Sequence, residues 1–134
     1  MLPLQKIIVS KLKEISEIAN QSQFFDINIT KVTKLPVTIC RFVTISEKDK
    51  VRNDVILEID IWQQITDITV SNAMVTLETI TNKIDKKLNR LQYASSDLCF
   101  VIYRLEPYKF YLVDDKDPTI KRRQLRYVCH TFIK

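Results

Sequence analysis

Apolar residues recur along the chain with two different periods, and these periods predict its elements. Near the N-terminus they return every three or four residues, the spacing of one helix face, which predicts a first helix over about residues 3–19. A second helical run predicts a helix over about residues 67–92, beginning at the N-cap pair Thr66 and Asp67. The apolar positions of the two runs are Leu4, Ile7, Ile8, Leu12, Ile15 and Ile18, then Ala73, Leu77, Ile80, Ile84, Leu88 and Leu91.

Elsewhere apolar and polar residues alternate, which is the period of a strand with one buried face. The alternation predicts strands at about residues 25–32, 36–45, 55–62, 98–105, 108–113 and 124–133. In the strand at 36–45 one face is expected to carry Val37, Ile39, Val43 and Ile45, and the other Thr38, Cys40, Phe42 and Thr44. In the strand at 55–62 one face is expected to carry Val55, Leu57, Ile59 and Ile61, and the other Ile56, Glu58, Asp60 and Trp62.

This order of elements predicts an α+β fold, with an antiparallel sheet of about five strands and two helices packed on one of its faces. The 134 residues fit a single domain, residues 1–134, since domains cluster near roughly 100–150 residues. With 46% hydrophobic residues the chain can bury a core without a metal or a disulfide.

Composition excludes several classes of function. Glycine is absent, so the chain contains no phosphate-binding loop, dinucleotide fingerprint or nucleophile elbow. Cys40, Cys99 and Cys129 are far apart and odd in number, which favours free buried thiols over a metal or disulfide site. No run of about 18 uncharged apolar residues is present, and Gln5 and Lys6 interrupt the first apolar stretch. We expect a protein made in the cytoplasm, with no membrane contact, no cofactor and no metal.

Two groups of residues are candidates for catalysis, and neither forms a convincing set. His130 is the only histidine, and Cys129 should point to the opposite face of its strand, so a cysteine hydrolase would need Cys99 or Cys40 to approach it. Glu58 and Asp60 should project from one face roughly 6–7 Å apart, a spacing compatible with acid–base chemistry. Beside Trp62 they fit a solvated or subunit-facing surface better. We therefore expect a protein that is not an enzyme.

The formal net charge of +5 permits contact with nucleic acid or with an acidic protein surface. Arg122 and Arg126 should share a strand face with Gln124, where they can bind carboxylates or phosphates. Trp62 is either a core residue or an interface anchor. A small basic nucleic-acid-binding module stays open as an alternative. The basic residues form two clusters, Lys83, Lys86, Lys87 and Arg90, and Lys121, Arg122, Arg123 and Arg126.

The order of these elements resembles the tail terminator proteins of long-tailed phages and prophages, also called tail completion or head–tail joining proteins. The likeness spans almost the whole chain and rests on pattern. It is carried by the N-terminal helix before Leu35-Pro36-Val37-Thr38-Ile39, the alternating stretch 55–63 ending in Trp62-Gln63, the long helix at 67–92, and the acidic turn and basic terminal strand at 115–127. The chain departs from the family at Val37, where an aromatic residue is usual, and at Thr119 and Ile120, where glycine is usual.

The resemblance implies a structural protein of the virion, assembled in the host bacterial cytoplasm. Such a protein forms a ring of about six copies, with heterologous contacts that close by rotation. The ring would dock on the tail tube protein, stop tube polymerisation and offer a surface to the head–tail connector or neck protein, with unspecific DNA contact in its lumen. Another neck or head-closure component is the near alternative. The residues expected at its interfaces are Ile56, Glu58, Asp60, Trp62, Lys121, Arg122, Arg123 and Arg126.

Overall fold

The described part of the chain forms two helices and six strands. In this computed structural model the described residues are 2–19, 24–25, 37–47, 52–64, 70–105, 111–114 and 120–133. The helices are α1 (Leu2–Leu12) and α2 (Val70–Leu88). The strands are β1 (Val37–Glu47), β2 (Arg52–Gln64), β3 (Gln92–Ala94), β4 (Leu98–Arg104), β5 (Tyr111–Asp114) and β6 (Ile120–Ile133).

All strand pairs are antiparallel, and five strands follow in the order β1-β2-β6-β4-β3, with β5 paired to β6 beside them. The longest pairing joins β2 to β6 and runs from Arg52 opposite Phe132 to Gln64 opposite Ile120. Helix α2 packs on β2, β4 and β6, and α1 packs on α2. The predicted α+β fold, with helices packed on an antiparallel sheet, is confirmed.

The core lies between the helices and one sheet face, as the two periods predict. The face of β2 expected to be buried is fully covered: Val55, Leu57, Ile59 and Ile61 each have 0% exposure. Opposite them lie the apolar residues of α2 and α1, which are Leu77, Ile80, Ile84 and Leu88, and Leu4, Ile8 and Leu12. This single cluster places the helices on one side of the sheet and leaves its other side without helix cover in the described part of the chain.

Both helices end earlier than their apolar spacing predicts. Helix α1 stops at Leu12, and residues 13–19 continue as tighter turns in which Ile15 and Ile18 stay buried. Helix α2 stops at Leu88, because Arg90 adopts a positive φ of 69°, the left-handed position that glycine usually takes after a helix. The N–H of Arg90 donates to the carbonyl of Ile102 at 2.6 Å, which joins this helix end to β4.

A β-bulge in β1 corrects one predicted face. The register shifts between Phe42 and Thr44, so Ile45 pairs with Val55 and Thr44 pairs with Ile56. The prediction that Ile45 shares a face with Val37 and Ile39 is wrong, because one inserted residue reverses the alternation that follows it. Strand β6 also begins earlier than predicted, and β3 was not predicted. The predicted strand at 25–32 and the N-cap at Thr66 and Asp67 lie outside the described residues, apart from Phe25, which is in a turn.

Candidate functional site

The sheet face opposite the helices, here called the uncovered face, carries the candidate residues. Directly paired residues of antiparallel strands share a face, so the register shows which side chains meet there. From one end of the β2–β6 ladder to the other, the pairs on this face are Trp62 with Arg122, Asp60 with Gln124, Glu58 with Arg126, Ile56 with Val128, Asp54 with His130, and Arg52 with Phe132. Strand β1 adds Arg41 beside Glu58, and β4 adds Tyr103 beside Val128.

Glu58 is the centre of an ion-pair network on this face. Its side chain is only 7% exposed, and the Nε of Arg41 donates to Oε1 at 2.8 Å. The Nη2 of Arg41 also donates to Oε1, and the Nε of Arg126 lies 3.6 Å from Oε2. Two guanidinium groups therefore compensate one buried carboxylate, which is the condition for burying it at acceptable cost. The carboxylate in turn raises the pKa of Arg41.

Asp60 is buried as deeply as Glu58 and has a weaker set of partners. It is 6% exposed, and its Oδ1 accepts one hydrogen bond from the amide of Gln124 at 3.0 Å. Burial raises the pKa of Asp60, although the bond from Gln124 and the charge of Arg122 act in the opposite direction. The expectation of solvated carboxylates is thus not met in the single chain, where both are buried and bonded within the sheet.

Trp62 and Arg122 form a stacked pair at the end of the uncovered face. The guanidinium carbon of Arg122 lies 4.8 Å from the centroid of the Trp62 ring, within the range of a cation–π contact. Trp62 is half-buried. The indole N–H of Trp62 and the Nε–H of Arg122 have no hydrogen-bond acceptor among the residues that the structure describes. The paired residues of this half of the uncovered face are here called the charged zone. They are Arg41, Glu58, Asp60, Trp62, Arg122, Gln124 and Arg126.

The other half of the uncovered face combines a polar group, Arg52, Asp54 and His130, with partly exposed apolar residues. Tyr103 and Phe132 are 42% and 36% exposed, and Ile56, Val101 and Val128 are half-buried beside them. We call these five residues the apolar zone. Aromatic residues and arginines together are the side chains that protein interfaces favour. The uncovered face carries both kinds of side chain.

His130 lies beside the apolar zone and bonds to Asp54 and Arg52, and Cys99 lies on the same face of the sheet. Its Nδ1 is 2.7 Å from Oδ1 of Asp54 and 3.0 Å from Nη2 of Arg52. Protonated Nδ1 donates to Asp54, whereas unprotonated Nδ1 accepts from Arg52. The bond with His130, followed by the bond with Arg52, lowers the pKa of Asp54. The side chain of His130 is 24% exposed, and Cys129 is buried on the opposite face, as predicted.

The basic run at the start of β6 is divided between the two faces of the sheet. Arg122 and Arg126 lie on the uncovered face, as predicted, whereas Arg123 lies on the helix side and forms a salt bridge with Glu78 of α2. Lys121 pairs with Gln63 in the ladder, and its side chain lies outside the described part. In the cluster on α2, Lys83 pairs with Glu17 and Lys87 lies 3.9 Å from Glu14. The basic run on β6 is thus divided between two faces, whereas Lys83, Lys86 and Lys87 of α2 line one open pocket together with Glu14.

Sequence reasoning missed several residues that position this site. Arg41 continues the alternation of Val37 and Ile39 but was assigned to no face, and the β1–β2 register that brings it to Glu58 was not predicted. On the helix side, Asp85 of α2 accepts hydrogen bonds from the Tyr127 hydroxyl at 2.9 Å and from Nη1 of Arg104 at 2.7 Å. This buried network fixes α2 against β4 and β6.

The described residues contain no cluster of three or more histidine, cysteine or acidic side chains suited to a metal ion. Neither α1 nor α2, as far as the structure describes them, provides an apolar segment that would cross a bilayer. Comparison with models of known protein families finds no match, and comparison with curated proteins finds no relative.

Proposed function

We propose that the chain is a phage tail terminator, a structural protein whose copies form a closed ring on the end of the tail tube. In this function the ring binds tail tube protein on one side, stops further polymerisation, and presents its other side to a head–tail connector or neck protein. Its place is the neck of the virion, and its assembly takes place in the host cytoplasm. DNA passing through the ring lumen would make only unspecific contacts.

The observation that carries the proposal is the uncovered face. Its charged zone holds Glu58 at 7% side-chain exposure between Arg41 and Arg126, so the charges of this surface are fixed in position. Fixed charge patterns select one partner and reject others, which is what a terminator must do when it binds tube protein and prevents further growth. Its apolar zone, with Tyr103 at 42% exposure, offers area to bury against a neighbour.

The strand arrangement also suits a ring. Closed rings of identical copies need heterologous contacts, in which two different patches of the chain meet. An antiparallel sheet with helices on one face has two chemically different sides, one apolar and helix-covered and one mixed. Binding by such surfaces requires no catalytic group, no metal and no cofactor.

Tube length tests the proposal. Tail tube protein is polymerised with increasing amounts of the chain, and tube lengths are measured in negative-stain images. We expect tubes to shorten as the chain approaches one ring per tube end. The variant Tyr103→Asp should lose this effect, because it places a charge in the apolar zone. The matched control is Val75→Asp on α2, where the side chain is 63% exposed and away from the uncovered face.

Two results would contradict the proposal. One is an unchanged length distribution at saturating chain, with tube ends that carry no added density. The other is an equal loss of tube shortening in Tyr103→Asp and Val75→Asp, which would show that the effect does not depend on the uncovered face. Retention of the chain on DNA with a steep salt dependence, together with no effect on tubes, would favour the nucleic-acid-binding alternative.

A further inference from the structure

An open pocket lies on the outer side of the helices, where the turn after α1 meets the C-terminal half of α2. Its volume is about 410 Å³, the space of roughly fourteen waters at about 30 Å³ each, which is enough for a phosphate group and its hydration water. Lys86 and Lys87 follow Lys83 by three and four residues, so the three side chains lie on one side of the helix. We call this site the lysine pocket. It is lined by Glu14, Ile15, Ser16, Lys83, Lys86 and Lys87.

Two glutamates compensate part of the positive charge at the lysine pocket. Lys83 pairs with Glu17, and Glu14 lies 3.9 Å from Lys87 and 3.8 Å from Lys11. These pairs stand in water, since the side chains of Lys83 and Lys87 are 45% and 40% exposed. Exposed ion pairs stabilise a protein little, so these lysines can exchange their glutamates for another anion at small cost.

Lys86 is the lysine of the pocket that lacks an acidic partner in the described part of the chain. It is exposed, and no salt bridge joins it to a described carboxylate. With Lys86 the site has four lysines against two glutamates, an excess of two positive charges. The site therefore attracts anions.

The composition of the lysine pocket favours a phosphate backbone over a protein as the partner. Protein interfaces are enriched in aromatic residues and arginine and depleted in lysine, and neither an aromatic residue nor an arginine is among the described residues that line this pocket. Its one apolar residue, Ile15, is only 3% exposed and offers little area to bury. Lysine amines bind phosphates as point charges, which positions a duplex without reading its sequence.

We propose that the lysine pocket binds the phosphate backbone of duplex DNA through Lys83, Lys86 and Lys87. The inference rests on the proposed function, in which DNA passes through the ring, and it names the surface that meets the DNA. The pocket lies on the helix side, so copies that contact one another or the tube through the uncovered face leave these lysines free. Contacts of this electrostatic kind let a duplex slide along a protein, which suits passage through a ring.

Fluorescence anisotropy of a labelled duplex, titrated with the full chain at rising NaCl concentration, tests the inference. We expect a Kd of about 10⁻⁴–10⁻⁶ M near physiological salt. Lys86→Gln should weaken binding equally for unrelated sequences, and the slope of log affinity against log salt should become shallower by about one for each copy on the DNA. The matched control is Lys6→Gln, an exposed lysine of α1 outside the pocket, which should bind like the wild type.

Three results would overturn the inference. The first is no binding by the wild-type chain at about 50 mM salt. The second is an equal loss in Lys6→Gln and Lys86→Gln, which would assign the attraction to the net charge of +5 as a whole. The third is polyglutamate that binds through the same lysines as tightly as the duplex, which would assign the pocket to an acidic protein. If Lys86→Gln does not fold by circular dichroism, Lys83→Gln takes its place.

The inference and the proposed function can fail separately. Tube shortening by a chain that does not bind DNA would overturn the lysine pocket and leave the proposed function supported. DNA binding that depends on Lys86, together with no effect on tubes, would support the pocket and contradict the proposed function.

Discussion

Glu58 and Asp60 project from the same side of β2 and are equally buried, yet they differ in what compensates their charge. Glu58 is bonded to Arg41 and lies beside Arg126, whereas Asp60 accepts one hydrogen bond from the neutral amide of Gln124. Because a buried carboxylate is costly unless cations and donors surround it, the two residues should respond in opposite ways to loss of their charge.

Glu58→Gln should destabilise the chain by about 1–2 kcal/mol at pH 7. This is less than the roughly 3–5 kcal/mol of a fully buried pair, because Arg41 is 56% exposed and its interaction is screened by solvent. Asp60→Asn should leave stability unchanged or raise it by up to about 1 kcal/mol, since an amide oxygen can still accept from Gln124. Urea unfolding of both variants measures this, and an equal loss in both would contradict the difference in compensation.

Acidification should affect Asp60 in a definite direction. Burial raises the pKa of this carboxyl, so the folded state takes up its proton at a higher pH than the unfolded chain. The ionised carboxylate therefore destabilises the fold above its folded pKa. Protonation removes this cost as the pH falls toward about 3.9, the unfolded value. Asp60→Asn has no carboxylate to protonate at this position. Its free energy of unfolding, measured from pH 7 to pH 4, should therefore fall more steeply than that of the wild type.

Asp54 should behave in the opposite way. The bonds with His130 and Arg52 lower its pKa, so its contribution is present above about 3.9 and is lost as the pH falls through the folded value. Asp54→Asn should cost about 1 kcal/mol at pH 7 and lose less stability than the wild type below pH 4. Asp97→Asn is the matched control, because Asp97 is exposed. Identical acid profiles for both variants would contradict the account of Asp54.

The buried bond between Tyr127 and Asp85 should stabilise the packing of α2. Tyr127 is fully buried, and its hydroxyl donates to Asp85 at 2.9 Å. Tyr127→Phe removes this donor and should lower the free energy of unfolding by about 1–2 kcal/mol. Tyr103→Phe removes a hydroxyl from a side chain that is 42% exposed, and thermal unfolding should show no comparable loss. Equal effects of the two changes would argue against the network.

The three thiols should react at different rates. Burial raises the pKa of Cys129 to about 12 and raises that of Cys40 further, whereas Cys99 is half-buried on the uncovered face. One thiol per chain should react quickly with a disulfide reagent under native conditions, and all three only after unfolding. Cys99→Ser should abolish the fast phase, and a fast phase that persists would contradict the placement of these side chains.

The sequence predicted the elements well wherever periodicity alone decides them. The buried face of β2 and the apolar stripe of α2 follow from spacing, because both are set by which residues must leave water. Ile45 was assigned to the wrong face because a bulge depends on strand pairing. The end of α2 at Leu88 had no glycine to mark it, because Arg90 takes the left-handed position instead. Arg122 and Arg123 were grouped because they are adjacent in the sequence, although neighbouring residues of a strand point to opposite faces. In the structure Arg122 stacks on Trp62 on the uncovered face, whereas Arg123 forms a salt bridge with Glu78 on the helix side.

Images of tube ends would show whether copies of the chain close into a terminal ring. Tubes grown with the chain are imaged by cryo-electron microscopy, and the terminal density is averaged without imposed symmetry. We expect a closed ring of about six copies on one end of each tube, with the uncovered face of each copy in contact with a neighbour or with the tube. Bare tube ends, or bound copies whose uncovered face is turned to solvent, would contradict it.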